Sequence, residues 1–319
     1  MESSIKVSIL VPIYNVENYI GKCLDSIFTQ TYANVTYVFV DDCSTDNSLQ
    51  VLKSKLAEYS ISSDNYTIIC HSENKGIAQT RIDLLREAMG DYVQFIDSDD
   101  WIDKDMVEKM VEATYNGKID IVGCDYYIIY NDGTTRCINE NYSDNPYDNM
   151  QKCINYDIAT TLWKLFIRKS LFNNFDIDKT INIGEDYIMS IMLYYYANSF
   201  ASLKSPLYHY VHANNNRLSY EIMNSISDHT AAVKKIEQFF KDKGLLNEQV
   251  ATSFNLRKFN IKSNYLTNRA FDINKYKTIF PEANKVWRQI HYSRNERIKF
   301  WLAEKNLYFI IKLIHKLHI

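Results

Sequence analysis

Short apolar runs and helical stripes alternate along the first hundred residues. Residues 6–11 read as a strand stopped by Pro12, and a helix follows from about Val16, with Ile20, Leu24 and Ile27 or Phe28 at helical spacing. Residues 36–40 predict a second strand, and residues 48–59 a helix whose stripe is Leu52, Leu56 and Tyr59. A strand over 66–70, a loop over 71–76, a helix over about 77–89 and a strand over 91–96 complete the series. Such alternation implies an α/β fold with a mainly parallel sheet sandwiched by helices. In sheets of this type ligands sit beyond the carboxyl ends of the strands.

The pattern then changes. Residues 119–124 and 126–130 predict two further strands forming an edge pair, with Asn131-Asp132-Gly133 as a hairpin turn, and residues 139–150 read as a polar loop. Beyond residue 220 the periodicity is helical, over 228–241, over 248–268 and again toward the C-terminus. This places one domain over 1–220 and a helical appendage over 221–319.

Two strands end in acid. Tyr92-Val93-Gln94-Phe95-Ile96 runs into Asp97-Ser98-Asp99-Asp100, and the strand over 36–40 runs into Asp41-Asp42. Buried carboxylates without partners are costly, whereas carboxylates one residue apart at a strand end can hold a hard divalent cation. Both acidic ends fall on one sheet edge, where a metal and a polyphosphate can meet. An Asp-x-Asp alone is a weak signal.

Composition narrows the field. A net charge of -3 and a pI near 6.2 leave no basic footprint for nucleic acid. The six cysteines show no CxxC pairing, which suits a reducing cytoplasm. Met1 to Lys6 carries no apolar signal core, and no apolar run approaches the roughly 20 residues of a membrane span. A cytoplasmic protein is expected.

The ordered set of motifs is more specific than any one of them. Val7-Ser8-Ile9-Leu10-Val11-Pro12-Ile13-Tyr14-Asn15, Asp41-Asp42-Cys43-Ser44-Thr45-Asp46, Asn74-Lys75-Gly76 with Arg81, Asp97-Ser98-Asp99-Asp100, Trp163-Lys164-Leu165-Phe166, Gly184-Glu185-Asp186 and Tyr208-His209-Tyr210 follow one another. This series resembles the family-two inverting glycosyltransferases of the bacterial polysaccharide type, over about residues 5–220. The resemblance implies the GT-A, Rossmann-like fold and a nucleotide-sugar donor, with UDP as the expected nucleotide. It also implies Mn2+ or Mg2+ as cofactor and a glycan or lipid-linked acceptor. By position, Pro12, Tyr14 and Asn15 match the place where the first strand meets the nucleotide, and Asp41 matches the nucleoside-binding carboxylate. Asn74, Gly76 and Arg81 match positions near the nucleotide and its phosphates. Asp97-Ser98-Asp99 matches the metal motif, with Asp97 toward the ribose, Ser98 among the nucleotide-sugar contacts and Asp99, with Asp97, on the metal. Asp186 matches the catalytic base, while Trp163, Lys164 and Glu185 match the acceptor side. Some relatives bring a histidine to the metal from the region of His209 and His212, with His209 ranked ahead. One departure is Cys43, at a place where the family usually has Gly; a turn needing positive φ tolerates Cys poorly.

These residues also have purely structural readings. Asp41, Asp42 and Asp46 can cap or shape their loop, and Asp100 can cap a helix opening near residues 102–104. Glu185 and Asp186 can be a solvated helix start, Trp163 core, Arg81 a partner of its own helix, and either histidine a stacked or surface ring. The enzymatic reading needs a cation for the leaving diphosphate and a carboxylate for the acceptor proton. Its competitor is a non-catalytic nucleotide-sugar binder or scaffold in a polysaccharide assembly. At the C-terminus, Leu307, Ile310, Ile311, Ile314 and Leu317 share a helical stripe with Lys305, Lys312 and Lys316 off it. Residues 297–319 therefore suit weak attachment to the inner-membrane surface, or packing on the domain or on a second subunit in a homodimer.

Overall fold

The computed structural model describes residues 5–212, 222–267 and 271–316. The chain divides into two compact units, Met1–Asn216 and Arg217–Ile319, a division that falls among residues outside those described.

The first unit is built on one mixed sheet. Strands β1 (Val7–Ile13), β2 (Val35–Asp41), β3 (Tyr66–Cys70) and β4 (Tyr92–Phe95) are joined by helices α1 (Ile20–Phe28), α2 (Ser48–Glu58) and α3 (Ile77–Glu87). These four strands are parallel, in the order β3-β2-β1-β4. β1 and β2 are buried throughout, as apolar runs covered on both faces must be. The α1 stripe of Ile20, Leu24 and Ile27, joined by Cys23, is buried as its spacing predicts. From β1 the chain moves outward to β2 and β3, then returns to place β4 on the other side of β1. That reversal is a topological switch point, and the crevice beyond the carboxyl ends of β1 and β4 is where such folds bind ligands.

Beyond β4 the sheet continues through β8 (Leu165–Arg168), β6 (Ile121–Ile129), β9 (Phe200–Val211) and β5 (Trp101–Ile102), with β7 (Thr135–Ile138) paired to β6. Three expectations need correction here. First, β1 does not stop at Pro12 but runs to Ile13. Leu10 offers its carbonyl to Ile96 on the β4 side, so Pro12, two residues on, faces that same side past the last β1–β4 pair, where no N–H is required. Second, residues 119–130 form not an edge pair but one strand, β6, lying between β8 and β9. Asp125, which seemed to break it, sits at a register shift against β9 and accepts a hydrogen bond from the Glu140 backbone N–H. Third, the stretch read as a polar loop over 139–150 contains the start of helix α5 (Pro146–Asn155), capped when the Asn145 side chain accepts from the Tyr147 N–H. The hairpin turn at Asn131-Asp132-Gly133 is as expected, with Gly133 at φ 80. Helix α4 (Met106–Glu112) and helix α6 (Glu185–Tyr196) complete the unit.

The second unit contains α7 (Ile222–Asp242), α8 (Glu248–Thr267), α9 (Ile273–Thr278), α10 (Arg294–Glu304) and α11 (Tyr308–Lys316); residue 268, expected in α8, lies outside the described residues. α8 is its axis. Phe254 meets Phe240 edge-on, Phe259 meets Phe300 edge-on, and buried Lys262 donates to the carbonyl of Phe280. That bond helps hold Phe280 at φ 46, a conformation a bulky residue adopts only when its surroundings impose it. The expected C-terminal stripe turns inward: Ile311 is buried and Leu307, Ile310 and Ile314 are half-buried, whereas Leu317 lies outside the described residues.

The loop after β2 adopts the geometry that Cys43 makes costly. Cys43 sits at φ 63, in the region that favours glycine. Replacing it with glycine, C43G, should stabilise the fold by about 1 kcal/mol, read as a higher denaturation midpoint with unchanged slope in urea.

Candidate active site

The ends of β1 and β2 are stitched together before any ligand is involved. Asn15, at φ 51, accepts from the Thr45 N–H at 2.8 Å, and its own N–H donates to Ser44 Oγ at 3.1 Å. Asp46 accepts from the Glu17 N–H and from the N–H and hydroxyl of Ser48. Asn15 and Asp46 are therefore loop braces. Pro12 is buried in β1, while Tyr14 just beyond it is 46% exposed, an open ring at the switch point. Asp41 is buried and accepts from the Ser44 N–H at 3.4 Å.

Asp42 does not face the crevice as a ligand. It accepts from the N–H groups of Lys75 (2.8 Å) and Gly76 (2.9 Å), and from His71 Nδ1 at 2.7 Å. The other His71 ring nitrogen reaches Asp83 on α3 at 3.0 Å. This chain of contacts shapes the loop before α3, with Asn74 exposed on it. Gly76 is at φ 84, and a Cβ there would lie 2.2 Å from the Asn182 side chain, whose oxygen accepts from the Ala78 N–H at the start of α3. The positive φ favours glycine here, and any Cβ would also displace the Asn182 amide that caps α3.

With its N-terminus fixed, α3 points Arg81 into a cluster of acids. The buried guanidinium lies 2.9 Å from Asp186, 3.4 Å from Glu185 and 3.8 Å from Asp97. The Glu185 contact is a hydrogen bond from Nε; the Asp186 contact is closer but off the N–H direction, so it is ionic. Behind it, the guanidinium stacks 5.1 Å from the Phe95 ring. Asp97 comes from the end of β4, and Glu185 and Asp186 from the first turn of α6, where the helix dipole favours anions. Burial works against the Arg81 charge, but the three carboxylates more than offset it and hold the group more basic than usual. Three acids against one cation leave negative charge in excess. Burial raises Glu185, and raises Asp186 to about 7, with Arg81 pulling each back toward the charged form. Asp186 keeps 21% of its side-chain exposure. It is a half-open carboxylate tuned near neutrality.

The Asp97–Asp100 turn is anchored to β9. Tyr208 accepts from the Asp97 N–H at 3.1 Å and donates its hydroxyl proton to Asp100 at 2.8 Å, and Asp100 also accepts from the Val211 N–H at 2.7 Å. Burial, then the Asp99 and Asp97 charges, push Asp100 well above the usual carboxylate range. It is an internal strut joining β4 to β9, not a helix cap. Ser98 is buried, while Asp97 and Asp99 remain half-buried. Among the described residues no three His, Cys, Asp or Glu side chains form a metal-holding group. Two hard oxygen donors do match the protein's share of a Mg2+- or Mn2+-type sphere that a diphosphate completes.

Several residues take structural places rather than the roles the resemblance implies. The Nε2 of His209 contacts Asp103 at 2.7 Å, and its ring stacks on Trp101 and on Tyr127, each 5.1 Å away. Trp163 is not an acceptor platform. It is buried, stacked on Tyr208 at 4.2 Å and on Tyr210 at 5.4 Å, with Tyr126 edge-on. Lys164 has no exposed surface; it pairs with buried Glu140 and lies 5.2 Å from the Tyr142 ring. Glu185 is buried against Arg81 rather than lining an acceptor surface. Sequence reasoning missed Tyr208, Glu140 and His71. The only signal was for Tyr208, inside a motif already singled out.

A family model described as Glycosyl transferase family 2 matches residues 8–175. The chain is 34% identical over 220 residues to glycosyltransferase GlyA of Streptococcus pneumoniae serotype 4 (strain ATCC BAA-334 / TIGR4), a match covering 64% of this chain and 30% of that protein. It is 33% identical over 212 residues to the putative glycosyltransferase EpsH of Bacillus subtilis (strain 168), covering 64% of this chain and 60% of that one. The chain thus spans less than two thirds of either relative. In structure it is similar to S. aureus TarS 1–349, with a TM-score of 0.66 at 19% identity, covering 99% of this chain and 92% of that one. The UDP-GlcNAc complex of the same TarS fragment gives 0.58 at 20% identity, covering 91% and 93%.

The Lys164–Glu140 pair generates a stability test. Lys164→Met leaves a buried carboxylate without its cation and should cost about 3–5 kcal/mol in urea unfolding, while K164M combined with E140L should recover most of that loss.

Proposed function

The chain belongs to glycosyl transferase family 2, and from that premise we propose that it moves a sugar from a UDP-sugar to a hydroxyl of a glycan or lipid-linked acceptor, with inversion, in cell-surface polysaccharide synthesis. The observation that carries this reading is the single cluster of Asp97, Arg81 and Asp186. It joins the acidic end of β4, where a donor diphosphate would sit, to a carboxylate tuned for proton transfer. UDP is favoured as the nucleotide because TarS, a structural neighbour, has been crystallised with UDP-GlcNAc.

In this reading Tyr14 flanks the base, Asp41 faces the nucleoside, and Asp97 with Asp99 would hold a divalent cation. When bound there, such a cation would stabilise the charge developing on the leaving diphosphate. Arg81 keeps Asp186 oriented and lowers its proton affinity, so that burial alone does not lock it in the acid form. Asp186 then removes the acceptor hydroxyl proton as that oxygen attacks the anomeric carbon from the side opposite the leaving group. One displacement inverts that centre. The described cysteines are all free thiols, consistent with a cytoplasmic enzyme.

A thermal-shift panel of nucleotide sugars with and without Mn2+ should show a UDP-sugar shift that EDTA abolishes. Asp186→Asn should keep that shift and lose transfer by about 10²-fold or more. Retained transfer in this variant would instead favour the non-catalytic binder.

The same carboxylate sets two pH dependences of opposite sense. Transfer needs the charged form, so kcat/KM should rise with pH through about 7. Folding prefers the protonated form, because the folded-state value lies above the unfolded one. Its contribution is full below the unfolded value and is lost as pH rises through about 7. D186N should therefore gain stability relative to the parent at about pH 8 compared with about pH 5; melting curves at both values check it.

A further inference from the structure

The apolar side chains of α10 and α11 divide between inward positions and exposed ones. The stripe through Ile311 is turned inward. Separate from it, Ile298 (43%), Trp301 (47%), Phe309 (64%) and Leu313 (55%) stand exposed. Ile298 and Trp301 are one helical turn apart on α10, and Phe309 and Leu313 one turn apart on α11, so each pair shares a side of its helix. A tight turn links the two helices, with Asn306 at φ 59 and the Leu307 N–H donating to the Leu302 carbonyl.

The charge around these residues is one-sided. Residues 294–316 hold six basic and two acidic side chains, although the chain as a whole carries -3. Both acids are engaged within the protein: Glu296 closes a capping box with Ser293, and Glu304 pairs with Arg288 at 2.7 Å and Trp287 at 3.2 Å. Arg294, Arg297, Lys305, Lys312 and Lys316 are exposed. A depression of about 380 Å³ brings Arg294 and Arg297 together with Ile298, Trp301 and Trp287, guanidinium groups beside indole rings. Among the described residues no helix is long and apolar enough to cross a membrane.

We propose that the exposed face of α10 and α11 docks on an anionic lipid bilayer, Trp301, Phe309, Ile298 and Leu313 entering the interface while the basic groups meet lipid phosphates. Exposed aromatic and aliphatic side chains gain by leaving water at the headgroup level, and each basic group near an anionic surface adds attraction. A second copy of the chain suits this face less. A two-fold contact would set the same basic side chains against themselves. This surface is built from residues of the second unit alone.

The test is co-sedimentation of the full chain with vesicles of phosphatidylglycerol mixed into phosphatidylcholine, against phosphatidylcholine alone. The expected result is binding to the anionic vesicles, weakened by high salt, and reduced about 10-fold or more in a W301S/F309S/L313S variant. That variant alters only exposed positions, and an unchanged melting curve confirms its fold. Trp301 emission should shift to the blue on anionic vesicles, and W301F should remove that shift. Equal pelleting with and without anionic lipid, or undiminished binding by the triple variant, overturns the proposal. So does a concentration-dependent dimer in light scattering that the same triple variant abolishes, because the face would then belong to a second copy.

Discussion

Arg81 is the constraint on which the site depends. A guanidinium that retains only 3% exposure, bearing on Asp186, Glu185 and Asp97, keeps its charge because those acids surround it. Removing either side of such an arrangement strands buried charge of one sign. For the contact to exist, α3 must enter at one angle, β4 must end where it does, and α6 must begin with its acids facing inward. The Asp42–His71–Asp83 chain, the glycine at position 76 and the Asn182 side chain all serve that entry angle, although none of them lies on the cluster itself.

Degree of burial sorts the acids of this unit by role. Asp42 and Asp100 are closed in, and their oxygens are occupied by backbone N–H groups, a histidine and a tyrosine hydroxyl. Asp97, Asp99 and Asp186 keep partial exposure. Carboxylates that accept fixed hydrogen bonds hold strands and loops in register, whereas those at the rim can exchange a proton or accept a cation. The buried Lys164–Glu140 pair belongs with the first group, although its motif neighbours had suggested the second.

The helical unit follows different physics. Its core is aromatic, centred on Phe259, Phe300 and Phe240; buried Lys258 pairs with Glu237 and Glu282, and buried Lys262 donates hydrogen bonds to the Phe280 carbonyl and the Asn284 amide oxygen. Apolar side chains remain on its surface beside basic ones, where a folded monomer normally keeps large exposed rings few.

The parallel strands, the helices between them and the two acidic strand ends were legible in the linear chain, because buried strands and amphipathic helices impose their own periods of about 2.0 and 3.6 residues. The motif order likewise put Asp97, Asp99, Arg81 and Asp186 on one list. What periodicity could not carry was which side chains point where across the sheet. The two strands expected over 119–124 and 126–130 are one, because the register shift against β9 at Asp125 has no linear signature. For Trp163, Lys164 and His209 the chain alone left functional and structural readings side by side, because their partners, Tyr208, Glu140 and Asp103, lie 24 to 106 residues away along the chain. A motif lists chemical groups; only the packed interior decides which become struts, since burial and partner geometry are properties of the folded chain.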